Sequence, residues 1–430
     1  MRRLNLFQAT MLRWRELYPY NAVHVVGVNR PLDATRLESD ISRALESLGL
    51  TGLVLDSGAR RYAWLGGAAS DVKLHIVPGG TDPSAVRDAE IERQLNVAFD
   101  ADGRIDPFRF FAIDAGAFFH LGIAYDHFVA SGDSVARFLK NLIDAADVAR
   151  SAVTPANPYA PSYARLFWRE RRALLTGLAS LPSLAAEARR SARPRYRSPE
   201  DGYNGFTRVL IEPAERAMLA RAATTWQVSL HDVLLSISLA ALSKLSPERR
   251  SAPRRREIAV ASIINIRREM GPEAADAVAP CLASFRVGHS VPSDIGMREL
   301  TAAVHDQTDR VRQRKLHLQS LLAMALAGFE WRFLSREQRL RFYAKHYPVW
   351  AGITSLNINA LWGGEGEASA PPHYVRAGST GPLAPMVITL TASGEAIEAG
   401  LSFRTTVYSR DVAHGIAAGM LDSIRRLKDC

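Results

Sequence analysis

Residues 108–143 constrain the fold more than any other stretch of this chain. FRFFAID (108–114) and AFFHLGIAYD (117–126) are two strongly apolar runs separated only by Ala115 and Gly116. So short a connection allows only an antiparallel hairpin. The hairpin leads through DHFVASGDS into SVARFLKNLI, where Val135, Phe138, Leu139 and Ile143 share one helical face and Asp133 and Ser134 are available to the first turn. Strand, strand, short loop and amphipathic helix predict a sheet covered by helices, and exclude all-α and all-β architectures.

The same mixture recurs along the chain. AVHVVGV (22–28) is a short β-branched run, and residues 33–49 place Leu37, Ile41, Ala44, Leu45 and Leu48 at helical spacing between Asp33 as N-cap and Gly49 as terminator. Later, SLHDVLLSISLAALSK (229–244) opens with a capping-box pair, Ser229 and Asp232, and is apolar nearly all round, as a buried helix is. EIAVASIINIR (257–267) is predicted to be a buried strand with a charged end. Residues 384–391 and 396–404 form a second hairpin with Gly394 in its turn, and Ser409 caps a last helix through Leu427. A chain of 430 residues exceeds what one core supports. We therefore expect two lobes, 1–186 and 207–430, joined by a basic linker at 187–206 where Arg, Pro, Ser and Gly displace the apolar pattern.

Composition narrows the function classes. No apolar stretch reaches the roughly 18–20 residues of a membrane span, and Arg13, Arg15 and Glu16 interrupt any signal-peptide core. Cys281 and Cys430 give neither a disulfide framework nor metal-type spacing, which fits a reducing cytoplasm and no metal. The net charge of +10 is concentrated in RRSARPRYR (189–197) and RRSAPRRR (249–256), each with five arginines beside proline and serine. These are expected to be solvated loops, with no helix-turn-helix or zinc-finger spacing, so nucleic-acid binding is not expected; solubility or an acidic protein partner remain.

His127 stands at the end of the second strand of the first hairpin. A general base must be held rigidly near the proton it removes, and a loop at a strand end does so. Ala130, Ser131 and Gly132 would let a substrate approach the ring. A histidine satisfied by hydrogen bonds at a strand end would present the same local pattern, so the residues alone leave both readings open.

DHFVASGDS resembles the HHxxxDGxS signature of the condensation domains of nonribosomal peptide synthetases and of related chloramphenicol-acetyltransferase-like acyltransferases. His127 falls on the second, catalytic histidine, and Gly132 and Ser134 also match. FDADGRIDPFRFFAID, SLHDVLLSISLAAL, ASIINIRRE, VAPCLASFRV and the closing PLAPMVITLTASGEAIEAGLSFRTTVYSRDVAHGIAAGMLDSIRRL resemble further family segments in the right order. The resemblance implies two chloramphenicol-acetyltransferase-like lobes forming a V around an active-site tunnel. It also implies acyl transfer from a phosphopantetheine thioester, on an acyl or peptidyl carrier protein or CoA, to a hydroxyl or amine in natural-product assembly, with no tightly bound cofactor. His127 Nε2 would act as base and the Gly132 N–H as oxyanion donor. Ser131, Ser355 and Asn357 would line the tunnel.

The signature is departed from twice: Asp126 replaces the first histidine and Ser131 the aspartate. In the family that aspartate pairs with the arginine corresponding to Arg267. We expect Asp126 or Asp133 to supply the missing carboxylate, since a buried unpaired guanidinium is costly; otherwise Arg267 faces solvent or substrate. The same loss leaves a second function class open, a degenerate member that recruits partner enzymes to a carrier-bound intermediate. Cys281 is expected to be a buried filler, and the aromatics of 331–350 to pack between the lobes.

Overall fold

The protein is described by a computed structural model covering residues 1–69, 73–147, 157–159, 161–179, 181–362, 371 and 373–429. Cys430 lies outside the described residues.

Two sheets carry the two lobes. The first has five strands in the order Tyr374–Ala377, Asn21–Val28, Phe119–Asp126, Phe108–Asp114 and Leu74–Pro78. The second has six, in the order Leu282–His289, Ile258–Asn265, Ala351–Asn357, Met386–Ser393, Ala396–Arg404 and Asn204–Ile211. A small sheet of Arg2–Arg3, Arg61–Trp64, Leu53–Asp56 and Gly103–Ile105 shares the first lobe's core. Helices cover both main sheets, so the mixed α/β architecture expected from the sequence is present.

The hairpin pairs from Phe108 with Tyr125 to Asp114 with Phe119. Its turn is longer than predicted, running from Ala115, whose N–H donates to the Phe118 carbonyl at 3.0 Å. Gly116 takes φ +79° there, a conformation a side chain disfavours. All of Phe119–Asp126 is buried, because Leu121, Ile123 and Tyr125 enter one core and Ala124 another, on the opposite face. Helix Gly132–Asp147 follows directly and packs against Ala34–Ser47, where Asp33 accepts the Arg36 N–H at 3.1 Å.

In the second lobe, Leu230–Ser243 begins with the expected capping box, in which Ser229 and Asp232 exchange hydrogen bonds. The closing hairpin turns at Gly394 and Glu395, two residues later than the pattern suggested. Strand Ile258–Asn265 stops short of the predicted 267; Arg267 instead opens a one-turn helix, Arg267–Met270, which aims it at the first lobe.

The linker is neither as long nor as solvated as expected. Helix Leu181–Arg190 enters it and a strand starts at Asn204, leaving 191–203, which lies along the second lobe. Ala192 N–H donates to Glu257 O at 2.8 Å, Arg197 N–H to Thr406 O at 3.0 Å, and Trp350 Nε1 to Ala192 O at 3.1 Å. In the other arginine cluster, Arg249 is 2% exposed and donates to the Arg256 and Ser290 carbonyls. Some of these arginines are therefore structural. One strand also crosses back: Tyr374–Ala377, numbered within 207–430, is an edge strand of the first sheet. Among the described residues no helix is long and apolar enough to cross a membrane.

Candidate active site

His127 leaves the end of the buried strand with its backbone N–H donating to Tyr20 O at 3.1 Å. Its ring Nδ1 lies 3.3 Å from the Ala130 carbonyl. A carbonyl only accepts, so Nδ1 carries the hydrogen and Nε2 carries the lone pair, the form a base needs. The ring stacks on Tyr20 with centroids 5.7 Å apart and meets Tyr125 edge-on at 5.8 Å. Trp14 continues the stack, 5.3 Å from Tyr20 and 5.7 Å from Tyr343 of the second lobe, and its Nε1 donates to the Tyr343 hydroxyl at 3.0 Å. The aromatic stretch thus packs the lobes together and holds the histidine's orientation. Burial pushes His127 down to about 4 against the opposing pull of the Ala130 carbonyl, so the imidazole is neutral at pH 7.

The two replaced signature positions have different fates. Asp126 is fully buried and pairs with Arg15 of the first helix. Burial raises its carboxyl to about 6 despite that arginine and the Phe128 N–H. Asp133 is the carboxylate that faces Arg267: its Oδ2 is 3.2 Å from Nε, and Nη2 donates to its Oδ1 at 3.2 Å. Arg267 Nη2 also reaches Ser131 Oγ at 2.8 Å, and Nη1 donates to Ala274 O at 2.8 Å and to Ala277 O. Ser131 Oγ in turn donates to Asp133 Oδ1 at 2.5 Å, and Asn265 Nδ2 to Asp133 Oδ2 at 3.1 Å. Burial opposes ionisation of Asp133, but the Arg267 charge and the Ser131 hydroxyl outweigh it and hold the carboxyl below its ordinary range. A carboxylate two residues along thus meets the arginine, and Ser131 bridges the gap as a hydroxyl linker. Ser131 N–H to Val278 O at 2.9 Å and Ser134 Oγ to Ala277 O at 3.2 Å complete the tie between the lobes.

Gly132 is the first residue of its helix and abuts His24 and Arg376, whose strands pair directly. Ser355 and Asn357 are not brought to this place. They share a face with Ala351 and Ile353, whose side chains enter the second lobe's own core, whereas Leu356 of the opposite face packs against the first lobe's core. Ser355 Oγ lies 3.1 Å from His231 Nδ1, and His231 Nε2 lies 2.9 Å from Ser262 Oγ. Cys281 is fully buried with its thiol pushed up to about 11 by burial, an inert filler.

A cavity of about 350 Å³ lies beside the motif, lined in part by Phe108, Ile123, Ala130, Ser134, Phe138 and Ala277. It reaches the residue that orients His127, although His127 itself is not in its wall. Four residues that reasoning from sequence missed complete the surroundings: Arg15, Tyr20, His24 and Arg376. A histidine and an arginine inside the apolar strands VHVVGV and YVRA were the available signal.

No protein-family model and no curated protein matches the chain. Solved structures do match. The first condensation domain of the calcium-dependent antibiotic synthetase, in complex with a substrate analogue, has a TM-score of 0.69 at 16% identity over 98% of this chain and 94% of its own. The SgcC5 protein from Streptomyces globisporus has 0.66 at 13% identity over 99% and 98%. The X-domain from teicoplanin biosynthesis has 0.58 at 17% identity over 99% and 95%. The chain has the condensation-domain fold.

Proposed function

We propose that this protein is a condensation-type acyltransferase that moves an acyl group from a phosphopantetheine thioester, on a carrier protein or CoA, to a hydroxyl or amine. The observation that carries the reading is His127: fixed at a strand end, its Nδ1–H engaged by Ala130 and its Nε2 unprotonated at neutral pH. Nε2 accepts the proton of the acceptor as that oxygen or nitrogen bonds to the thioester carbonyl carbon. The carbonyl oxygen becomes an oxyanion, which the Gly132 N–H and the positive end of helix Gly132–Asp147 favour. Collapse breaks the C–S bond, and the departing thiolate takes the proton back from His127. No acyl-enzyme is formed. A pKa near 4 makes His127 a weak base whose contribution lies in accepting a proton within the transition state.

A second reading is favoured by the cavity, whose wall omits His127, and by the X-domain, which is also known in complex with OxyB. In it the chain binds a partner protein and a carrier-bound intermediate without turnover. Intact-mass detection of acyl transfer from carrier-protein and CoA donors to amine and alcohol acceptors separates them. His127→Ala is expected to lower turnover at least about a hundredfold. Transfer unchanged by the substitution removes His127 from the chemistry, and tight binding of a loaded carrier without transfer supports the second reading.

A further inference from the structure

Arg376 is a charge the proposed mechanism does not use. It sits on the strand that crosses back into the first sheet, is 6% exposed, and has no carboxylate within ion-pair distance among the described residues. Half of its guanidinium is accounted for. Nε donates to Thr391 Oγ1 at 2.9 Å, and Nη2 to Leu390 O at 3.0 Å and Thr354 O at 3.3 Å, clamping the crossover strand to the second sheet. Neutral acceptors do not discharge a cation, however, and a buried charge left without a counter-charge is costly. Nη1, the remaining nitrogen, makes no hydrogen bond among the described residues and points at the start of helix Gly132–Asp147. A methyl placed on Gly132 would lie 3.4 Å from it and 3.5 Å from His24 Nε2.

The helix start is open as well. The Gly132, Asp133 and Ser134 N–H groups find no acceptor among the described residues, although Val135 N–H already bonds to Ser131 O at 3.0 Å. Such a terminus carries positive polarity and free donors. The one carboxylate in that first turn, Asp133, is engaged by Arg267 and Asn265. His24, the remaining titratable neighbour, has its Nδ1 2.9 Å from the Tyr374 hydroxyl and its Nε2 3.4 Å from the Tyr125 hydroxyl. Gly132 is thus where a free guanidinium nitrogen, free amides and the absence of a side chain meet.

We propose that Arg376 Nη1 and the free N–H groups of Asp133 and Ser134, beside the Gly132 N–H assigned to the oxyanion, form a carboxylate-binding site, and that this protein takes a small molecule bearing a free carboxylate. The bound anion supplies the counter-charge that the fold withholds from Arg376. The site does not depend on acyl transfer, because binding is read without turnover.

The test is a thermal-shift titration of the full chain with acetate, benzoate and glutarate against the matching amides, at ionic strength held constant with sodium chloride. A saturable rise in Tm is expected with carboxylates and not with amides. Arg376→Gln is expected to weaken the best carboxylate by at least about tenfold, as loss of a hydrogen bond to a charged group does. Should that variant fail to fold by circular dichroism, Gly132→Ala decides. Its methyl fits at ordinary contact distance but occupies the gap, and the same tenfold weakening with an unchanged fold is expected. Equal shifts with acids and amides, or carboxylate binding unaffected in the folded variants, overturn the proposal.

Discussion

Two arginines from the second half of the chain reach the histidine loop from different directions, and they are built on opposite principles. Arg267, on the one-turn helix after strand Ile258–Asn265, is met by Asp133, Ser131, Ser134 and two carbonyls. Arg376, on the crossover strand, is met among the described residues by a hydroxyl and carbonyls only, with one nitrogen left open. The first is a neutralised tie between lobes, and the second retains its charge. The contrast separates what the loop needs in order to be held from what it has available to offer a ligand.

The sharpest way to break this comparison is to replace each guanidinium with methionine. Arg267→Met leaves Asp133 buried beside an apolar chain and is expected to cost about 3–5 kcal/mol in urea unfolding, the usual result of removing one partner of a buried pair. Arg376→Met removes a charge with no counter-charge to orphan and leaves only neutral acceptors, Thr391 Oγ1 and the Leu390 and Thr354 carbonyls, without their donor, so its cost without ligand is expected to be smaller, about 1–3 kcal/mol. Equal losses would mean that Arg376 is as compensated as Arg267.

A smaller effect tests the shifted carboxylate itself. Ser131 Oγ lies 2.8 Å from Arg267 Nη2, so an aspartate there restores the family's arrangement. In an Asp133→Ala background, Ser131→Asp is expected to recover about 1–3 kcal/mol in a double-mutant cycle. In the parent chain the same change sets two carboxylates side by side and is expected to destabilise it, which urea midpoints would detect.

The fold's outline was legible in the sequence because hairpins, caps and apolar periodicity are local. Asp33, Ser229 and Ser409 all cap helices as their positions suggested. What was not legible depends on placement through space. Arg267 could be assigned a carboxylate by its cost, and the fold supplies one from Asp133, while Asp126 goes to Arg15, a pairing that no spacing encodes. Arg376, on the crossover strand, lies 348 positions beyond Val28, the last residue of the strand its own strand pairs with, so no local pattern could place it beside Gly132. For Ser355 the limit is simpler, since the period of two assigns a face but does not say what that face meets.

Proton uptake distinguishes the arginines next. Burial first, and the Arg376 charge after it, lower His24 well below its ordinary value; for His127, burial dominates and Arg376 contributes last. Arg267 is not among the causes for either. Both histidines are neutral when folded and protonate more readily when unfolded. The stability this lends is present above about 6.5 and is lost as pH falls toward the folded values. Over pH 7 to 5 the stability of the parent relative to His127→Gln is expected to fall by about 1–2 kcal/mol. Asp126, raised to about 6, runs the other way, since its buried charge is relieved as pH falls through that value, and it is common to both proteins. In histidine ring spectra, the His24 titration is expected to move upward in Arg376→Met and to stay in place in Arg267→Met.

The smallest expected effect concerns the second lobe's own histidine. His231 sits between Ser355 and Ser262 at the amino end of Leu230–Ser243, a serine–histidine contact that superficially resembles an activated nucleophile. Its imidazole, however, is lowered by burial and bonds two hydroxyls; Asp232 turns instead to His305 and Thr308. Among the described residues no carboxylate bonds it, and strand parity turns Ser355 away from the face that packs on the first lobe. Ser355→Ala is accordingly expected to leave acyl transfer within about twofold of the parent, close to the ±0.5 kcal/mol of an ordinary surface change. A hundredfold loss would instead move the chemistry toward the second lobe, and leave Arg267 and Arg376 holding a loop whose histidine does not react.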